Sequence, residues 1–176
     1  MPHDCRGANA HDDAMEYALS ATTVIDAPPA RVFDAITDID RLPSWNREVA
    51  KIVEPCASLE VGREWVVEIR AMHTHWNSRS RVVEIDAPRR YFAYRSQSDD
   101  GNPSYADWQW DVLDDPAGTR VHVMVGVHPQ TFWRKHLLSK IRVGGLQKAM
   151  NESVRLLGEQ IASHATSETT NSKEQQ

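Results

Sequence analysis

The sequence predicts an α+β domain in which a long antiparallel sheet packs against one C-terminal helix, and three patterns predict it. The first is period-two alternation. Trp65, Val67, Ile69 and Ala71 alternate with Glu64, Glu68 and Arg70, and Trp108, Trp110 and Val112 alternate with Asp107, Gln109 and Asp111. Val121, Val123, Val125 and Val127 repeat this against His122, Met124 and Gly126. Strands with one buried face read this way. The second pattern is helical: Leu146, Met150, Val154, Leu157 and Ile161 recur every three or four residues, so one stripe faces inward. The third is the order along the chain, which is one strand, two short helices, six strands and a long helix.

Each element has a local reason. Tyr17 to Asp26 is rich in threonine, valine and isoleucine and reads as a first strand. Pro28-Pro29 stops it and suits a helix start, where proline's fixed φ and missing N–H cost little. Val32, Phe33 and Ile36 give that helix an apolar face, and a second helical turn covers Asp38 to Leu42 before Trp45. Residues 48–54, 76–86 and 90–97 read as further strands. The runs 99–103 and 114–118, dense in Asp, Gly and Pro, supply turns. The folded unit is expected over residues 16–163. The arm 1–15 and the tail 164–176 are too polar to offset their ordering entropy and are expected to be disordered.

A length of 176 residues allows one domain with a sizeable core. A formal net charge of −5 argues against a general nucleic-acid binder, which needs a basic face. Cys5 and Cys56 form no C-x-x-C pair, and the N-terminal stretch has no apolar signal core. Both observations suit a reducing, cytoplasmic setting. No segment is long and apolar enough for a membrane helix.

Within this order, Ile25-Asp-Ala-Pro-Pro-Ala-Arg-Val-Phe33 is followed by Ile36-Thr-Asp-Ile-Asp-Arg-Leu-Pro-Ser-Trp45. Val61-Gly62, the run Val82 to Arg90, the tryptophan strand 108–112 and Gly118-Thr-Arg-Val121 come next. Across residues 17–162 this series resembles the START/Bet v 1-like (SRPBCC) superfamily, in particular its polyketide cyclase/dehydrase and lipid-transport group. The resemblance implies a helix-grip fold, a curved sheet of about seven strands wrapped around the long helix, with a cavity between them. It further implies a lipid, polyketide or aromatic metabolite as ligand, and no universal catalytic triad. No cofactor is called for. Fold analogy alone leaves the activity open.

The candidate lining residues follow from the inward faces: Trp45, Trp65, Val67 and Ile69 at the front, Trp108, Trp110, Val123 and Val125 on later strands, and Leu146 and Met150 on the helix. Trp45 leads, because it ends the short helical segment expected near the cavity mouth. The indoles equally suit plain core packing. Strand 76–86 has two readings. Val83 and Ile85 inward would carry His75, Asn77, Arg79 and Arg81 with them, whereas Val82 inward brings Trp76, Ser78 and Ser80. A bulge can switch faces midway. An inward Arg81 would mark an anionic group and, with Tyr94 as proton donor, would form the catalytic pair of a cofactor-independent cyclase. His73 and His75 form an H-x-H pair lacking an evident third ligand, so no metal site is assigned. The apolar and basic segment 132–143 reads either as the start of the terminal helix or as a gate touching anionic membrane transiently. Three functions follow in order: a binding or carrier protein for a small hydrophobic or amphipathic ligand, a cyclase or dehydratase, and an interaction module with an apolar patch around Trp133.

Overall fold

The computed structural model describes residues 17–71, 73–130 and 139–173, with only the backbone described for Tyr17, 139–143 and 165–173. Strand β1 (Tyr17–Ile25) leads into helix α1 (Pro29–Thr37), a 3-10 turn (Ile39–Arg41) and the short helix α2 (Leu42–Trp45). Six strands follow: β2 (Val49–Glu54), β3 (Glu64–Ala71), β4 (Thr74–Asp86), β5 (Tyr91–Ser98), β6 (Tyr105–Asp115) and β7 (Gly118–His128). Helix α3 (Ser139–Lys173) ends the described chain.

The seven strands form one antiparallel sheet in the order β1-β7-β6-β5-β4-β3-β2. Strands β2 to β7 run as a meander, each beside its predecessor, and β1 closes onto β7, with Ala21 opposite Val123 and Thr23 opposite Val121. The β1–β7 crossing is tight at Gly118, where φ is 133° and a Cβ would lie 2.3 Å from the Ile25 carbonyl oxygen. Only glycine fits there.

One face of the sheet and one stripe of α3 make the core. Val121, Val123 and Val125 lie beneath Leu146, Met150, Val154, Leu157 and Ile161, all buried, and Val32, Phe33 and Ile36 of α1 join them. The helical stripe read from spacing is therefore the packed face. The helix runs further than its apolar stripe. Residues 164–173, expected as a disordered tail, continue α3 to Lys173. No glycine or proline interrupts 159–173, and propagating an existing helix costs far less than nucleating one.

Strand β4 takes the second of its two readings. Ser78, Ser80 and Val82 are buried, while Arg81 and Val83 are exposed. A register shift between Val82 and Glu84 then realigns the strand, and Ile85 packs against the core. A bulge at Val83 thus turns two apparently conflicting patterns into one inward face.

Candidate functional site

The space between sheet and helix is a cavity of about 70 Å³. At about 30 Å³ of liquid per water that is room for about two waters, and about half of the about 150 Å³ of an apolar cavity that takes up benzene. An aromatic guest therefore extends through the open side of the cavity or widens it. Strands β3 to β7 supply its floor, α2 and the segment leading to β2 one rim, and α3 the roof.

The floor is aromatic. Tyr94 stacks on Trp108 with ring centres 5.9 Å apart and planes at 12°, and meets Trp65 edge-on at 5.1 Å. These side chains meet because Tyr94 is paired with Trp108 in the ladder, as Phe92 is with Trp110. Trp45 packs edge-on against Trp110 at 5.8 Å and 84°. The Trp108 Nε1–H donates to Ser96 Oγ at 3.0 Å. Burial pushes the Tyr94 phenol above the ordinary tyrosine range, while its hydrogen bond with the Trp110 indole acts in the opposite sense. At neutral pH Tyr94 is therefore a neutral hydrogen-bonding group.

Beside the aromatics lies a block of hydroxyls. Ser80 stands opposite Ser96, and Ser78 opposite Ser98, across the β4–β5 ladder. Ser78, Ser80 and Ser96 line the cavity. On the rim, Ser153 Oγ accepts from the Arg47 backbone N–H at 2.9 Å and donates to the Ala149 carbonyl at 2.8 Å. With an Arg47–Glu152 ion pair at 3.6 Å, this fastens the α2–β2 connection to α3.

Of the residues expected at the site, Trp65, Ile69, Tyr94, Trp108, Trp110, Val123, Leu146 and Met150 line the cavity. Trp45, Val67 and Val125 are instead buried in the surrounding core, Trp45 directly behind Trp110. Arg81 is misplaced in the expectation. It lies on the outer face, its side chain 65% exposed and its Nε donating to Glu64 Oε1 at 2.7 Å. The Arg81–Tyr94 catalytic pair is therefore ruled out, because the strand's pleat sends them to opposite faces of the sheet. His73 sits in the β3–β4 turn with φ at 63°, and His75 follows on β4, exposed. Among the described residues no three His, Cys, Asp or Glu side chains gather as a metal site. The segment 132–138 and Trp133 lie outside the described residues, as does the arm 1–15. Residues 139–143 form the first turn of α3.

Sequence reasoning missed Ser96, Asn46, Glu48, Ala149 and Ser153 as lining residues. Ser96 follows Tyr94 by two and so shares its face, a signal that was legible. The rim residues carry no period of their own.

The family model for polyketide cyclase/dehydrase and lipid transport proteins matches residues 17–161. The chain belongs to that family. This cyclase/dehydrase and lipid-transport family member has the Bet v 1-like helix-grip fold, and solved structures share it. A protein of Thermus thermophilus is 20% identical, with a TM-score of 0.68, over 84% of this chain and 99% of its own. The ZhuI aromatase/cyclase from Streptomyces sp. R1128 is 12% identical, with a TM-score of 0.71, over 85% and 95%. Ara h 8.0201 is 16% identical, with a TM-score of 0.63, over 84% and 98%. At these identities the likeness establishes the fold. No curated protein matches the chain. Family membership supports hydrophobic-ligand binding or a polyketide-cyclase-type role without choosing between them. Among the described residues no helix is long and apolar enough to cross a membrane.

Proposed function

We propose that this protein binds a small hydrophobic or amphipathic molecule in the cavity between its sheet and α3, as a binding or carrier protein. One observation carries this reading: a floor built from Trp65, Tyr94, Trp108 and Trp110 faces Leu146 and Met150 across an internal space. Such a surface offers stacking area at little conformational cost, and a few polar groups orient what it holds. The test is native mass spectrometry of protein purified from its own host, followed by denaturation and identification of what is released. A stoichiometric compound with an aromatic or aliphatic body supports the reading. Protein that arrives empty and binds no aromatic probe at millimolar concentration overturns it.

A cyclase-type reading keeps one observation, the Tyr94 phenol held protonated in the cavity. A proton donor placed against a folded carbonyl chain suits dehydration. Incubation with the identified ligand or its precursor separates the two. Recovery of intact compound favours the carrier, and recovery of a product that has lost water, with the rate falling in Tyr94→Phe, favours the enzyme.

A further inference from the structure

We infer that the cavity selects an uncharged aromatic ligand bearing a carbonyl or hydroxyl oxygen, and that the Ser80 hydroxyl, supported by Ser96 and Tyr94, recognises that oxygen. The inference rests on the binding reading above and names its ligand class.

Ser80 is 4% exposed and lines the cavity, yet its hydroxyl makes no hydrogen bond within the described residues. The hydroxyl oxygen is open to the cavity, where water can serve it, and a guest that displaces that water keeps the bond only if it brings a polar atom to the same place. Its cross-strand neighbour Ser96 already accepts the Trp108 N–H, which leaves the Ser96 hydroxyl hydrogen to donate. Tyr94 is in the same position relative to Trp110, and burial keeps it protonated. Three hydroxyl-bearing side chains thus line the same cavity beside an aromatic floor, each with a hydrogen to give. An acceptor oxygen on a ring stacked along Tyr94 and Trp108 meets that demand.

Charge narrows the class. No lysine, arginine or histidine is among the lining residues described, and the charged one, Glu48, is acidic. Arg79 and Arg81, the cations of β4, serve carboxylates on the outer face. Among the described residues a carboxylate or phosphate entering the cavity would lose its water and meet no counter-ion. The arginine-bound anion that an inward Arg81 would have implied is excluded by the same pleat that brings Ser80 inside.

Three probes of matched shape test this on the full chain at pH 7: isopropylbenzene, acetophenone and benzoate, titrated by calorimetry and tryptophan fluorescence. Acetophenone is expected to bind about fivefold tighter than isopropylbenzene, the value of one net hydrogen bond. Benzoate is expected to bind at least about tenfold more weakly than acetophenone. In Ser80→Ala, acetophenone falls to the level of isopropylbenzene, which itself changes less than about twofold. Ser80→Cys, which keeps the volume with a weaker donor, falls between and guards against a folding defect. Equal binding of the two neutral probes, or an unchanged ratio in Ser80→Ala, overturns the hydroxyl assignment while the binding reading stands. Benzoate binding tightest overturns the charge argument. Failure of all three probes to bind overturns this inference and the binding reading together.

Discussion

Tyr94 shows most directly how one residue's surroundings set its chemistry. Its ring is enclosed by Trp65, Phe92 and Trp108, and burial raises its pKa above the ordinary value of about 10. Below pH 10 both folded and unfolded chains hold the proton, and the contribution to stability is whole. Above it the unfolded chain ionises first, so stability falls as pH rises toward the folded value. In Tyr94→Phe that loss is absent. Urea midpoints from pH 8 to 11.5 are expected to decline less steeply than in the parent, the difference approaching about 1.4 kcal/mol per pH unit. Tyr91, also raised, chiefly by desolvation and then by Glu84 and Asp111, leaves a residual slope in both proteins. Parallel curves would show that Tyr94 is not a buried neutral phenol. Trp45 is a second case. It is 2% exposed, and its Nε1–H finds no partner among the described residues. Trp45→Phe keeps the contact with Trp110 and deletes the orphan donor. Its net cost is expected to be under about 1.5 kcal/mol, well below the about 3–5 kcal/mol of Trp45→Ala, as thermal or urea unfolding would register.

At the scale of elements, the two arginines of β4 separate what reading alternation can do from what it cannot. Arg79 and Arg81 share the outer face, yet Arg79, 32% exposed, bonds Asp99 at 2.8 Å and Glu54 at 3.0 Å and lies 3.4 Å from Glu64. It thereby ties β2, β3 and the turn after β5 to β4. Arg81 meets Glu64, on the same face, while largely in solvent. Arg79→Met leaves Glu54, Glu64 and Asp99 facing one another and is expected to cost about 1–3 kcal/mol, reduced at high salt. Arg81→Met is expected to cost under about 1 kcal/mol. Equal losses in urea titrations would show that the three-acid junction adds nothing. The periods of β3, β6, β7 and α3 were legible because each keeps one face in the core along its length. Strand β4 was not, because the shift at Val83 mixes two faces in one run, and only the pairing partners Tyr94, Ala93 and Phe92 resolve it. That α3 continues past residue 163 has a different reason: polar composition reports lost burial, whereas a helix already nucleated needs only the absence of breakers.

For the whole molecule, the cavity is space that a closely packed core would fill. Its aromatic floor was readable strand by strand. Its rim was not, because Asn46, Glu48, Ala149 and Ser153 come together only when the α2–β2 connection docks on α3 through Arg47 and Ser153. That arrangement predicts a trade between stability and binding. Ala149 projects from α3 into the cavity, and leucine there keeps helix propensity while occupying part of the about 70 Å³. Ala149→Leu is expected to leave unfolding free energy within about 1 kcal/mol of the parent or to raise it, since added apolar contact offsets the strain of insertion. Acetophenone affinity is expected to fall by at least about tenfold, and the stabilisation of about 2.7 kcal/mol that a ligand gives at a hundred times its Kd should fall to about 1.4 kcal/mol or less at the same concentration. Unfolding with and without the probe reads both quantities in one experiment. A variant that loses stability and keeps affinity would mean that the ligand sits elsewhere. One that keeps stability and loses affinity would mean that the fold holds this space open for a guest at the expense of its own packing.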